Sequence, residues 1–221
     1  MKKPTIGVIQ FPGSNCDSDC VQALSYFDTV SAELVWHQST DLSAYAGIVV
    51  PGGFSYGDYL RSGAMAAMSP IIKSLKTYAQ KKPVLGICNG FQILVEAGLL
   101  PGTLLRNDKQ KFVCRWVELE GSSQSTWTTN AQKLDCHIPV AHGEGRYYID
   151  QDGLKRIQDN EQIVLRYKDN PNGSVESIAG VANKQGNILG MMPHPERAMD
   201  IDIHGSASGR LVWESFLEKC L

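Results

Sequence analysis

Four short apolar runs, "TIGVIQF", "AELVWH", "GIVVPGG" and "PVLGIC", punctuate the first half of the chain. Each is too short for a helix and carries β-branched or aromatic residues, the profile of strands packed inside a sheet. Between the first two lies "DSDCVQALSYF", with acidic residues suited to a helix start and apolar residues at helical spacing. A longer helical pattern, from about Ala64 to Gln80, leads into "PVLGIC"; another, from Gly90 to Ala97, is closed by Gly98. Strands alternating with helices predict a parallel sheet covered on both faces. In such a sheet ligands sit beyond the carboxyl ends of the strands. That rule points to the ends of "GIVVPGG", "PVLGIC" and the later run "ILGMMPHPE".

The second half is richer in strands. "KFVCRWVELE", "LDCHIPVAHGEG", "QIVLRYK" and "SIAGVANKQGNILGMMPH" predict antiparallel ribbons added to the parallel core, with "NKQGN" as a hairpin turn. A last helix is expected from about Ser208 to Lys219. No repeat, low-complexity run or linker interrupts the 221 residues, so one domain, 1–221, is expected. A net charge of −2 without a basic block argues against nucleic acid or a charged membrane surface as partner. The start, "MKKPTIGVIQF", has too short an apolar run for a signal peptide, and nothing approaches the ~18 apolar residues of a membrane span; a cytoplasmic location is expected. The 6 cysteines then read as free thiols. Cys16 and Cys20 are spaced to share a helix face but lack a second ligand pair, so no metal site is expected.

"GICNGFQ" poses the chemical question. A strand that turns sharply into a helix lifts the residue at the bend out of the sheet, and the bend needs small neighbours, here Gly86 and Gly90. The helix N-terminus offers Cys88 partial positive charge and free N–H groups, which favour a thiolate and an oxyanion. The alternative is a cysteine simply packed between Leu85 and Phe91. A nucleophilic thiol needs a base and the base an orienting group. "MMPHPER" supplies His194 and Glu196, two positions apart, so that in extended chain they project to one side. The alternative here is a surface pair in a proline turn. Of the other histidines, His37 and His137 lie in strand-like runs and His204 in a polar loop. The glycines of "VVPGGFSYGD" allow backbone N–H groups close to a ligand; one of these and the N–H of Asn89 would make an oxyanion hole. All three elements fall where strands are predicted to end.

Together, "GICNGFQ", the upstream "PGG" and the downstream "HPE" resemble the class I, triad-type glutamine amidotransferases. "IGVIQFPGSNCDSD", "PGGFSYGDYLRSGAMA", "AHGEGRYY" and "GMMPHPERA" extend the resemblance over nearly the whole chain, towards the glutaminase subunits that serve de novo purine biosynthesis. It implies an α/β fold, a flavodoxin-like, mostly parallel sheet flanked by helices with added antiparallel strands. It implies that Cys88 attacks the side-chain amide of glutamine, that His194 shuttles protons and that Glu196 orients it. It implies N–H groups of Gly53 and Asn89 as the oxyanion hole, and Gly52, Gln92, His142 and Gly143 as substrate contacts. The chain has no G-x₄-G-K-[ST] motif and no cofactor of its own is expected. ATP, Mg²⁺ and formylglycinamide ribonucleotide are expected on a partner synthetase subunit, with a small third subunit bridging the two. The loops "FSYGDYLRSGAM" and "HGEGRYY", rich in Tyr and Arg, are candidate contacts with these partners or else plain rim of the site. Docking is expected to complete the oxyanion hole, for instance by turning the Gly52–Gly53 peptide. Two other classes stay open, a free-standing cysteine hydrolase or glyoxalase-like enzyme and a non-enzymatic redox sensor using Cys88. The first of these need not carry His-Pro-Glu after a late strand.

Overall fold

The computed structural model describes residues 3–58, 61–127 and 135–221. In chain order its strands and helices are β1 (Thr5–Gln10), α1 (Asp17–Ser25), β2 (Ser31–Trp36), β3 (Gly47–Val50), α2 (Pro70–Tyr78), β4 (Val84–Ile87), α3 (Asn89–Glu96) and β5 (Thr103–Leu105). There follow β6 (Val113–Gly121), β7 (Cys136–His142), β8 (Arg146–Tyr148), α4 (Gln151–Asp159), β9 (Ile163–Tyr167), β10 (Ile178–Ala182), β11 (Ile188–Met191), α5 (Ile201–His204) and α6 (Arg210–Cys220).

Among the described residues, nine strands form one sheet in the order β2-β1-β3-β4-β11-β10-β9-β6-β7. The first five are parallel, from β2 to β11. The remainder are antiparallel. β3 and β4 are buried at every residue, because helices cover both faces of the parallel part. The chain moves outward from β1 to β2 and then back across to β3, which sends α1 and α3 to opposite faces. α3 packs on β3, β4 and β11, while α1 and α6 share contacts with the turn Pro195–Arg197. Leu85, Ile87, Phe91 and Phe216 are fully buried, each stabilising the fold by roughly 1.5–3 kcal/mol.

The parallel core, the antiparallel extension and the "NKQGN" turn fall as the sequence predicts, the turn being tied by Asn183, whose Oδ1 accepts from the N–H groups of Asn187 and Ile188. Three expectations change. The helix expected from Ala64 to Gln80 is broken: a 3-10 turn, Ala66–Met68, precedes α2. Ser69, the residue before Pro70, is pushed to an extended ψ of 148°, and Pro70 then opens the new helix as its first residue. "RYY", expected in a loop, is the short strand β8 paired with β5. His204, expected in a polar loop, ends α5, and Gly205 (φ 75°) closes that helix. Leu134, at the start of one predicted ribbon, and Tyr59 and Leu60, in a predicted contact loop, lie outside the described residues. No described helix is long and apolar enough to cross a membrane.

Candidate active site

Cys88 stands between β4 and α3 with φ 50° and ψ −107°. A non-glycine residue held there stores about 1–3 kcal/mol of strain, and close packing on either side holds it. A Cβ on Gly90 would lie 1.8 Å from the carbonyl oxygen of Val50, so α3 seats directly on the neighbouring strand only because residue 90 has no side chain. The Cys88 N–H donates to the Met191 carbonyl at 2.7 Å, which fastens the bend to the end of β11. The first-turn N–H groups of α3, beginning with Asn89, have no acceptor within the helix and lie at its positive end.

β11 lies beside β4, so its continuation delivers His194 to the same edge. The His194 backbone N–H donates to Pro139 O at 2.9 Å. Its Nδ1–H donates to Glu196 Oε1 at 2.6 Å, and both side chains are buried. The pairing expected of an extended segment is instead made by a 3-10 turn, Pro195–Arg197, because Pro195 sets the first residue of that turn. Burial alone would lower the His194 pKa; the charges of Glu196, first, and of Cys88 outweigh it and hold the imidazolium well above its usual range. Gly52 is the spacer between these groups. A Cβ there would stand 2.9 Å from His194 Cε1, 3.3 Å from Cys16 Sγ and 3.4 Å from Cys88 Cβ.

Gly53 has φ 133°, and a Cβ on it would meet Asn15 N at 2.4 Å. The peptide joining Gly52 to Gly53 is pinned by a bond from Cys16 N to Gly52 O at 3.3 Å. Gly53, Cys88, Gln92, His142 and Gly143 line one cavity of about 200 Å³. Gly52 lies beneath the Cys88–His194 pair and is not part of that lining. Gln92 is engaged at both ends: its Oε1 accepts from Asn89 Nδ2 at 2.9 Å and its Nε2 donates to Glu144 O at 2.6 Å. His142 is buried, with its pKa lowered to about 4 by burial and by the positive charge of His194. Its Nε2 has no partner among the described residues. A larger cavity, about 390 Å³ beside Glu120–Gln124 and α4, is lined by neither a cysteine nor a histidine and shares no residue with this site. His37 is buried with Nδ1 3.0 Å from Tyr56 Oη, and His137 is exposed against Trp116; neither joins the site.

Several residues here escape sequence reasoning. Asp58 and Glu144 put two carboxylates on the cavity wall. Burial raises the Asp58 pKa, while Ser62 Oγ donates to Glu144 at 3.0 Å. Asn107 organises the "HGEG" loop: Nδ2 donates to His142 O at 2.9 Å and Oδ1 accepts from Gly145 N at 3.1 Å. No local pattern marks a lone Asn as such a hub. Cys16 was within reach, since β1 also ends at this edge and the strand-end rule covers it.

A cysteine on a strained bend, a carboxylate-held histidine on the adjacent strand and a cavity at the strands' carboxyl ends define a thiol-dependent amide hydrolase site. Residues 3–210 match the CobB/CobQ-like glutamine amidotransferase domain, and the chain belongs to that family. It is therefore a glutaminase-type enzyme. More particularly, it is 44% identical to a chain in the structure of PurLQS from Thermotoga maritima, covering 98% of each chain with a TM-score of 0.87. A putative GMP synthase protein from Thermoplasma acidophilum, at 16% identity and TM-score 0.66 over 100% of this chain and 95% of that one, shares the fold.

Proposed function

We propose that the chain is the glutaminase subunit of phosphoribosylformylglycinamidine synthase, releasing ammonia from glutamine for purine biosynthesis. The observation that carries the chemistry is the Cys88 bend (φ 50°) beside the 2.6 Å His194–Glu196 pair. The similarity to a PurLQS chain supports the pathway. The Cys88 thiolate attacks the amide carbon of glutamine, and negative charge grows on the amide oxygen, towards the N–H groups of Gly53 and Asn89. His194, held protonated by Glu196, gives its proton to the amine as the C–N bond breaks. Ammonia leaves and a glutamyl thioester remains on Cys88. Water then adds, its proton passing to the now neutral His194, and the C–S bond breaks to release glutamate. The triad returns to its starting state with no net proton gained.

The carboxylates of Asp58 and Glu144 are placed for the substrate's α-ammonium at the cavity wall, and neutral His142, with a free Nε2, for another polar atom of the amino-acid end. Ammonia is used by a partner synthetase subunit that carries ATP and Mg²⁺, with a small bridging subunit, in the cytoplasm. Phe54 and Met68 are 51% and 84% exposed along the loop towards α2, and Phe112 is 53% exposed at the cavity mouth, an apolar rim suited to that contact. Turning the Gly52–Gly53 peptide on docking would break the bond from Cys16 N to Gly52 O, so the partner must compensate for it. Equal glutaminase rates with and without the synthetase would reject this docking switch.

Replacing Cys88 by Ala tests the main reading. The variant is expected to fold and to bind its synthetase, to lose glutamine-dependent amination by on the order of 10⁴-fold or more, and to support amination from free ammonia. Loss of the ammonia-dependent reaction as well would contradict the division of labour.

A further inference from the structure

A second sulfur stands behind the triad, and glutamine hydrolysis leaves it unused. Cys16 heads α1 at the end of the loop that follows β1, and its side chain is buried. One donor atom from each of Cys16, His194 and Glu196 lies within 4.8 Å of the others, and all three residues are buried. One donor in this cluster, Glu196 Oε2, has no hydrogen-bond partner among the described residues. We propose that Cys16, His194 and Glu196 form a binding site for a thiophilic divalent cation of the zinc or cadmium class, and that its occupation reversibly stops glutamine hydrolysis.

The donor set selects the ion. One sulfur, one imidazole nitrogen and one carboxylate oxygen suit zinc, whereas magnesium and calcium want oxygen alone. Metal–ligand bonds of about 2.0–2.3 Å bring tetrahedral ligands to about 3.4–3.6 Å from one another. His194 Nδ1 and Glu196 Oε1, now 2.6 Å apart, therefore open by roughly 1 Å to admit an ion, leaving a fourth position for water. Glu196 also forms part of a separate cavity of about 110 Å³, with Asp19, Gln22, Tyr26 and His204, which gives an approach that avoids the glutamine pocket. Arg197, whose guanidinium donates to Cys16 Sγ at 3.2 Å, has an alternative partner in Asp19, 3.6 Å from its Nε. Cys16 enters as a thiolate and His194 as the neutral imidazole, and both protons pass to solvent. The bound ion takes the imidazole and the carboxylate that the proton shuttle needs, and inhibition follows from that competition.

Cobalt(II) serves as the probe in the full-length chain, followed by its sulfur-to-cobalt charge-transfer absorption. Wild type and Cys88→Ser are expected to bind one ion per chain with that band, and Cys16→Ser to lack it. Zinc is expected to inhibit wild-type glutaminase reversibly. In Cys16→Ser basal activity persists and the half-inhibitory concentration rises at least about tenfold. Loss of the band in Cys88→Ser would place the ion on the nucleophile and overturn the proposal. So would a Cys16→Ser chain with unchanged band and zinc sensitivity, or a wild type that binds no cobalt. If Cys16→Ser fails to fold, Cys88→Ser decides alone. The inhibition part rests on the glutaminase reading, but the absorption is measured without glutamine, so failure of the site and failure of that reading are distinguishable.

Discussion

The two halves of the sheet build the site by different means. On the parallel side, geometry comes from backbone contact: Cys88 is lifted by a strained bend, and Gly90 lets α3 rest on Val50. On the antiparallel side it comes from side-chain hydrogen bonds, with Asn107 holding His142, Gly145 and the Lys111 carbonyl. Backbone contacts have no slack, since interiors are close-packed and a single added methyl must displace main chain. A hydrogen-bonded loop yields locally when one partner is lost. Damage to the first half should therefore be all or none, and damage to the second graded.

The largest test is Gly90→Ala. Its Cβ would meet Val50 O at 1.8 Å, and a destabilisation above about 4 kcal/mol is expected by denaturant titration. A cost below about 1 kcal/mol would end the contrast. Glu196→Gln should cut glutaminase kcat by about 10²–10⁴-fold while the fold persists. It also carries a pH signature. His194 binds its proton more tightly folded than unfolded, so its stabilisation is complete below the unfolded imidazole's ~6.5 and is lost as pH rises through the raised folded value. The stability gap between wild type and Glu196→Gln should thus be widest in acid and narrow in alkali.

Asn107→Ala, on the antiparallel side, should cost about 1–3 kcal/mol of stability and raise KM for glutamine by roughly tenfold with kcat little changed. An equal fall in kcat would show that this half also sets the reacting geometry. The smallest effect is that of His142. Its folded pKa of about 4 lies below its unfolded 6.5, so wild type loses stability as pH falls between those values. The loss is about 1.4 kcal/mol near pH ~5.5. His142→Gln should flatten that limb of the stability–pH curve.

This contrast also explains what was legible in the sequence. The parallel half announces itself through apolar runs, glycines and the Cys88 bend, because its geometry is local to a few adjacent residues. The turn holding Glu196 against His194 was half legible: the spacing pointed to a pair, but Pro195 made it through a turn. Asn107 left no trace, and Asp58 and Glu144 were legible only as members of candidate loops, since their roles depend on segments that meet in three dimensions. The break before α2 is legible in Ser69-Pro70 alone, because the residue before a proline is driven out of the helical region.

The place of β11 between β4 and β10 has a consequence for biogenesis. During synthesis β4 emerges long before its neighbour on that side, so the nascent chain carries an apolar strand with one bare edge. Until β11 threads into the gap, His194 is not held at the edge where Cys88 stands. Long-range insertion of this kind is slow, so the meeting of Cys88 and His194 is expected among the late folding events.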